Sequence, residues 1–216
     1  MKSPEEINGL MARLDELYPT DGVCYLDYDE EPWHLLIATI LSAQCTDSRV
    51  NQVTPGLFAR YPTLEAMAAA DISDLEGVIK STGFYRSKAV HIIETARMLL
   101  SRFGGEMPES MESLTELPGV GRKTANLIRG QIFGIPSIIV DTHVKRISGR
   151  LGLTDNADPY KIEIDLSRQL PEEHWTRYNT QIIAHGRTVC LARSPKCGIC
   201  QLAEFCGAYP FVKQDT

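Results

Sequence analysis

The stretch Leu117-Pro-Gly-Val-Gly-Arg-Lys-Thr-Ala-Asn126 decides most about how this chain folds. Gly119 and Gly121 flank one valine, and we expect a turn that only glycines cross without strain and that leaves successive backbone N–H groups facing outward. A helix should begin near Arg122, with its unpaired N–H groups and positive dipole end facing the same place. Gly-x-Gly alone would favour a plain turn, but the residues on either side favour a phosphate site between two helices.

Helical periodicity runs along most of the chain. The segment Trp33–Ala43 is apolar almost all round, which predicts a helix buried at the centre of a bundle. Ser73-x-x-Glu76 predicts a capping box. The remaining helices are expected over Pro4–Tyr18, Arg86–Phe103, Arg122–Phe133, Thr142–Leu151, Pro159–Leu170 and Trp175–Arg187. No alternating strand pattern of useful length occurs, and residues 137–140 are at most a short extended connector. The pattern predicts an all-α protein.

The charge is unevenly distributed along the sequence. The 216 residues carry a formal net charge of −6, which is unusual for a protein that binds nucleic acid. Residues 1–115 hold 9 Lys+Arg and 18 Asp+Glu, whereas residues 116–216 hold 13 and 10. Because steering depends on the local field, a basic second half is compatible with a polyanionic partner. The basic residues expected to form it are Arg122, Lys123, Arg129, Lys145, Arg146, Arg150, Arg187, Arg193 and Lys196.

Two reactive side chains lie close to the glycine turn in the sequence. Lys123 follows the turn directly, and Val140-Asp-Thr-His-Val144 comes shortly after it. An amine and the carboxylate of Asp141 are groups that can cut a glycosidic bond. A lysine attacks a sugar carbon only as the neutral amine, and a helix N-terminus beside another cation favours that form. The plainer alternatives are a solvated lysine and an aspartate that caps the helix starting at Thr142, and capping is compatible with catalysis.

Four of the six cysteines lie within seventeen residues, spaced Cys190-x6-Cys197-x2-Cys200-x5-Cys206. No signal peptide or long apolar run occurs, so we expect a cytoplasmic chain with no targeting signal and no membrane contact, in which disulfides are uncommon. Four thiolates on one short loop then predict a metal site. Zinc ribbons usually have two C-x2-C pairs and this loop has one, so the residues alone leave zinc and iron–sulfur open. The default for the remaining cysteines, at positions 24 and 45, is a buried apolar thiol.

The hairpin stretch resembles the helix-hairpin-helix of the endonuclease III family of DNA repair glycosylases, and Val140-Asp-Thr-His143 resembles that family's catalytic aspartate segment. The resemblance extends from about Trp33 to Cys206. It implies an amine nucleophile at Lys123 and an essential carboxylate at Asp141. It also implies two helical domains, 22–135 with the hairpin, and 1–21 plus 136–216 with the cysteine loop over 187–210.

The cysteine spacing resembles the [4Fe–4S] loop of the same family, which favours one iron–sulfur cluster over zinc. Its implied role is structural, because the four ligands close a loop that carries Arg193 and Lys196 toward DNA phosphates. The hairpin contacts to phosphate would come from Gly119, Gly121 and Arg122. His143, beside the aspartate, is either a DNA contact or a capping or packing histidine.

The family also fills the gap left by a flipped base with two side chains. Gln44, in Leu41-Ser-Ala-Gln-Cys, corresponds to the glutamine that follows the buried helix. Phe84, in Thr82-Gly-Phe-Tyr-Arg86, stands where the resemblance leads us to expect leucine. An aromatic ring can also wedge between bases, so the role is kept and the preference for the opposite base is what we expect to change. The structural alternatives are a helix end for Gln44 and a packed loop aromatic for Phe84.

The resemblance implies a bifunctional DNA glycosylase and abasic-site lyase that removes oxidised pyrimidines, binds damaged double-stranded DNA as a monomer and works near the bacterial nucleoid. One alternative is a mismatch or adenine glycosylase without a lyase step, but those branches generally lack a lysine at the position of Lys123. The adenine branch also has an acidic residue on the buried helix, where 35–43 has none. A DNA-binding iron–sulfur protein without chemistry is the other alternative, and the presence of both Lys123 and Asp141 disfavours it.

Overall fold

The structure is a computed structural model that describes residues 2–20, 24–29 and 31–209, and these residues are helical without strands. The all-α prediction is therefore confirmed for the described part of the chain. The α-helices are α1 (Pro4–Leu17), α2 (Pro32–Ser42), α3 (Asp47–Arg60), α4 (Leu64–Ala68), α5 (Ile72–Ile79), α6 (Tyr85–Phe103), α7 (Met111–Glu116), α8 (Arg122–Ile132), α9 (Thr142–Leu151), α10 (Pro159–Ser167) and α11 (Trp175–Thr188). Short 3₁₀ turns lie at Lys80–Thr82, Glu172–His174, Cys197–Ile199 and Ala203–Phe205.

The chain divides into two compact units, Cys24–Gly134 and Met1–Val23 with Ile135–Thr216. The expected domain boundary at residue 22 and the end of the expected loop at residue 210 lie outside the described residues. No helix in the described ranges is long and apolar enough to cross a bilayer.

In the unit Cys24–Gly134, α2 is the central helix, as its composition predicts. The side chains of Trp33 through Leu41 are all buried, so every face of this helix packs against protein. The long helix α6 contributes an apolar stripe and ends in left-handed Gly104, as the Gly104-Gly105 pair indicates. α5 corrects one expectation, because Asp71 caps it and Ser73 lies inside the helix.

The second unit packs α1 against α9, α10, α11 and the cysteine loop. α1 begins with Ser3 and Glu6 in a reciprocal capping box and buries Ile7, Leu10, Met11 and Leu14. The connector 137–140 leads into α9 without forming a strand, and its Ile138 and Ile139 are buried. Asn179 of α11 donates its side-chain amide to the carbonyl of Ile139 at 3.1 Å. These contacts hold the connector in place, and with it the residue that starts α9.

Candidate functional site

The hairpin turn connects α7 to α8 and requires glycine at one position. Gly119 has φ +76°, and a Cβ there would lie 2.9 Å from Nδ1 of His91. Both backbone conformation and space therefore exclude a side chain. Gly121 differs from the expectation, because its φ of −96° is ordinary extended backbone and a Cβ would meet nothing within 4 Å. The geometry of the turn therefore requires glycine at Gly119. It does not require glycine at Gly121, so the glycine there has another explanation.

That explanation is the N-terminus of α8, where Gly121 is the N-cap residue. Seven of the eleven α-helices in the described residues are capped by a serine, threonine or aspartate side chain, whereas α8, like α2, α6 and α11, has no side-chain cap. This end of α8, with its backbone N–H donors and positive dipole, is therefore open to an external acceptor, which a phosphate suits. Arg122 and Lys123 are the first two residues of the helix and both are exposed. The turn thus combines backbone donors, the positive helix end and two cationic side chains.

Asp141 lies in the other unit, at the start of α9. Its Oδ1 accepts the backbone N–H of Val144 at 2.7 Å, so it is the N-cap that the sequence predicts. One carboxylate oxygen fulfils this role, and the cap does not need the second. The side chain is half-buried at the end of the braced connector. The fold therefore gives this carboxylate one orientation and keeps it in reach of solvent.

His143 is half-buried in the first turn of α9 and contacts Arg146. Nη2 of Arg146 lies 3.3 Å from Nδ1 of His143. A guanidinium only donates, so Nδ1 accepts and a neutral His143 carries its proton on Nε2. Burial lowers the pKa of His143, with Asp141 opposing and Arg146 and Arg187 reinforcing the effect. A neutral imidazole with an Nε2–H donor suits a hydrogen bond to phosphate. The ring packs against Gly186 of α11, where glycine is required because a Cβ would collide with the imidazole.

Gln44 and Phe84 both lie on exposed turns of the unit Cys24–Gly134, with φ of 53° and 48°. In the described part of the chain, they are the non-glycine residues with positive φ. This left-handed conformation costs a side chain of this size about 1–2 kcal/mol. Phe84 is 65% exposed, so the ring is not the packed loop aromatic of the alternative interpretation. Strained residues with exposed side chains are typical of functional positions.

The four cysteines line one cavity after the end of α11. Apolar side chains, among them Ile147, Leu151, Val189 and Leu202, form much of the rest of its wall. Burial chiefly raises the pKa of Cys197 and Cys200, and the neighbouring thiols raise it further, so this wall disfavours bare thiolates without bound cations.

The donor set is four thiols around one cavity, which matches the four-cysteine ligation of iron–sulfur clusters. The single C-x2-C pair departs from the two pairs that are usual in zinc ribbons.

Two groups contact these thiols in a way that the sequence did not indicate, the half-buried Arg150 and the buried His185. Nη1 of Arg150 lies 3.2 Å from Sγ of Cys190, and the same guanidinium donates to the carbonyls of Leu191 and Ala192 at 2.8 and 2.9 Å. Nε2 of His185 lies 3.7 Å from Sγ of Cys200, and its Nδ1 is 2.9 Å from the hydroxyl of Tyr18. Burial lowers the pKa of His185 to about 4. Nothing local in the sequence marks these residues as neighbours of the cysteines.

The structure also changes the role of part of the basic half. Arg146 donates to the carbonyl of Cys190 at 3.0 Å, and Arg150 braces the same loop, so both hold the fold together. Lys145 donates to the carbonyl of Ala157 at 2.6 Å. Arg193 and Lys196 are exposed on the cysteine loop, as expected. The side chains left to meet a polyanion are thus fewer than the sequence suggests.

Two family models match this chain, one over a range that contains the hairpin and Asp141 and one over the cysteine loop. Residues 37–172 match the HhH-GPD superfamily of base excision DNA repair proteins, and residues 190–206 match the iron-sulfur binding domain of endonuclease III. The chain is 53% identical over 198 residues to Endonuclease III of Synechocystis sp., covering 91% of this chain and 90% of that protein. It is 40% identical over 207 residues to Endonuclease III of Bacillus subtilis, covering 95% and 94%. The solved structure of a trapped covalent intermediate between endonuclease III and DNA is 40% identical, with a TM-score of 0.88 over 96% of this chain and 97% of that one.

Proposed function

This chain belongs to the endonuclease III family of base excision DNA repair proteins, and we propose that Lys123 and Asp141 perform its chemistry on oxidised pyrimidines. As a member of the family it is a bifunctional DNA glycosylase and abasic-site lyase that binds a [4Fe–4S] cluster. The observation that carries the assignment is the position of Lys123, which is exposed on the first turn of a helix without a side-chain cap. A phosphate bound at that N-terminus would bring the sugar of a neighbouring nucleotide to the amine.

Lys123 acts as the nucleophile. Its neutral Nζ attacks C1′ of the damaged nucleotide, the C1′–N bond to the base breaks, and the base leaves with the bonding electrons and takes up a proton. Opening of the sugar gives an iminium between Nζ and C1′. Loss of a C2′ proton then forms the C2′–C3′ double bond and expels the 3′ phosphate. Water finally hydrolyses the imine and frees the lysine.

Asp141 supports the first of these steps. Positive charge develops on the sugar as the base departs, and a fixed carboxylate stabilises that charge and can transfer protons. Its N-cap hydrogen bond to Val144 keeps the group ordered without neutralising it. The carboxylate therefore needs no reorganisation when charge develops.

Gln44 and Phe84 fill the space of the flipped base. Extruding a base costs a few kcal/mol, and side chains that stack in the gap offset part of it. Both residues are exposed on strained turns of one unit, which supports this role. His143 and the hairpin residues Gly119, Gly121 and Arg122 contact the backbone of the same damaged strand.

Cys190, Cys197, Cys200 and Cys206 would hold the cluster. When bound, it supplies a structural link that closes the loop, since with four protein thiolates it offers no site to substrate. The loop presents exposed Arg193 and Lys196 to duplex DNA. We further propose that the protein acts as a monomer on chromosomal DNA in the cytoplasm.

Single-turnover assays on duplexes with one oxidised pyrimidine test the assignment. Thymine glycol should be excised and the strand nicked, and Asp141→Asn should slow base release by several orders of magnitude while DNA affinity changes little. A panel of oxidised pyrimidines opposite each of the four bases defines the preference. Base release by Asp141→Asn at the unmodified rate, or activity on mismatched normal bases alone, would refute the proposal.

A further inference from the structure

Lys88 is a buried lysine in the middle of a functional unit. It lies on the apolar stripe of α6 and is 3% exposed. Its Nζ donates to the carbonyl of Leu41 at 2.7 Å and to the carbonyl of Thr82 at 2.8 Å. An ammonium group only donates hydrogen bonds, and its burial is tolerated only when acceptors surround it. The two carbonyls therefore have to remain close to Nζ.

Each acceptor lies at or directly before the start of one of two separate turns, 42–46 and 82–86, which we call the wedge turns. Each turn carries one of the two wedge residues, Gln44 or Phe84. Leu41 lies in the last turn of α2, three residues before Gln44. Thr82 ends a 3₁₀ turn, two residues before Phe84. The backbone of Lys88 also contacts the second turn, because its N–H donates a hydrogen bond to the carbonyl of Phe84 at 3.1 Å. The residue before it reinforces this, because the hydroxyl of Ser87 donates to the same carbonyl at 3.0 Å.

The two turns need such a support, because Gln44 and Phe84 both have left-handed backbone. A strained conformation of this kind persists only where the surroundings determine it. Burial lowers the pKa of Lys88, and the nearby thiol of Cys45, next to Gln44, acts in the opposite direction. The contact of the lysine at the first turn is the hydrogen bond to the carbonyl of Leu41.

We propose that Lys88 is a positioning residue that couples the two wedge turns, so that Gln44 and Phe84 enter the DNA duplex as one rigid unit. The inference rests on the proposed function in assigning those two side chains to the gap. Two wedges that move independently would each have to be ordered during base flipping. A shared buried ammonium orders both beforehand and lowers that cost.

The first experiment measures amide hydrogen exchange of the protein without DNA. Lys88→Met keeps the methylene stem and removes the ammonium, so exchange over 42–46 and 82–86 should rise together, by about tenfold or more. Lys88→Arg retains charge and donors and should restore much of the protection. Arg97→Met is the control on the same helix, because Arg97 is exposed on α6 and donates to one carbonyl, that of Ala68, at 2.9 Å. It should leave both wedge turns unchanged.

The second experiment separates flipping from chemistry. Lys88→Met should reduce excision of a damaged base from duplex DNA by about tenfold, and reduce borohydride trapping at a preformed abasic site by less than about threefold, since less unpairing is required there. Lys88→Arg should recover excision, and Arg97→Met should retain it. If Lys88→Met does not fold, Lys88→Gln, which has one amide for two carbonyls, takes its place in both experiments.

Increased exchange in one turn alone, or in neither, would overturn the coupling whether or not the protein excises bases. Equal losses on damaged and abasic duplexes would show that Lys88 supports the fold in general and does not position the wedge. Failure of the proposed function would look different: the unsubstituted protein would itself show no excision, while the exchange experiment would still report on the coupling.

Discussion

Gly121 leaves the N-terminus of α8 open. Its backbone is ordinary and there is space for a Cβ, so geometry does not require glycine there. A serine, threonine or aspartate would suit the N-cap position better, because its side chain would accept a backbone N–H of the first turn. Glycine supplies no such acceptor and keeps this helix end open to a ligand. Gly119 is the contrasting case, where positive φ and the ring of His91 both exclude a side chain.

This contrast makes Gly121→Asp a sharp test of the phosphate site. Aspartate is a good N-cap, so the substituted protein should be as stable as the original or slightly more so. Its carboxylate would occupy and repel the phosphate position, and affinity for damaged and undamaged duplex should fall together. Thermal unfolding and binding titrations measure the two effects. Weaker binding to one lesion type only would show that the hairpin is not the phosphate site.

At the scale of elements, α9 connects the carboxylate to the cysteine loop. Asp141 caps its N-terminus and His143 lies in its first turn, while Arg146 and Arg150 reach the loop near Cys190. The helix packs closely on α11 at Gly186, where a Cβ would meet His143, Ile147 and Arg146. Disturbing either contact should therefore displace the functional end of α9.

Gly186→Ala tests the close packing of the two helices. The added methyl group would collide with the ring of His143 and lie 3.0 Å from Nη2 of Arg146, so we expect a loss of about 1–3 kcal/mol of stability and weaker DNA binding. Gly56→Ala is the control, because a Cβ in that part of α3 meets nothing within 4 Å and alanine favours helix by about 1 kcal/mol. Chemical denaturation measures the free energy of unfolding of both variants. An equal change in Gly186→Ala and Gly56→Ala would contradict the role of Gly186.

Cys200→Ala tests the cysteine loop as a cluster site. The protein should lose iron and its yellow-brown colour, and the segment 187–206 should lose structure because metal binding and local folding are coupled. DNA binding should fall with it, through Arg193 and Lys196. Cys24→Ala, outside the set, should retain iron. If the unsubstituted protein were colourless and fully active with one zinc and no iron, the cluster assignment would be contradicted.

For the molecule as a whole, binding must arise from a local basic surface, because the formal net charge is −6. Affinity should fall with salt at a log–log slope of about −0.9 per neutralised phosphate, and about five contacts give a slope near −4 to −5. Arg122→Gln should reduce the magnitude of the slope by about 1. Titrations over a range of salt concentrations measure it. A slope near zero would exclude the phosphate contacts proposed for the hairpin.

The parts of the molecule that the sequence predicts are those with local rules. α9 begins at Thr142 and ends at Leu151 as expected, because an aspartate cap and an apolar period lie within ten residues. The start of α8 and the cysteine spacing are equally local. α3 was not expected, since it is poor in apolar periodicity and contains Pro55. The capping box at Ser73 was wrong because Asp71, two residues earlier, competes for the same role.

Contacts between distant residues were not predicted. Lys88 meets a carbonyl 47 residues away, and Tyr18 meets His185 at a separation of 167. A lysine on an apolar helical stripe is a signal that could have drawn attention to Lys88, although not to its two acceptors. The roles of Lys123, Asp141, Gln44, Phe84 and His143 stay predictions, since the family and the geometry support them without testing them.

The most direct test of the central claim is to locate the covalent bond between protein and DNA. Borohydride reduction during turnover should trap an adduct, and mass spectrometry of the digested adduct should place the sugar on Nζ of Lys123. Lys123→Gln should give no adduct and no strand cleavage while keeping most of its affinity. Arg122→Gln removes a neighbouring charge and keeps the amine, so it should bind less tightly and still be trapped. An adduct on another residue, or full strand cleavage by Lys123→Gln, would contradict the mechanism.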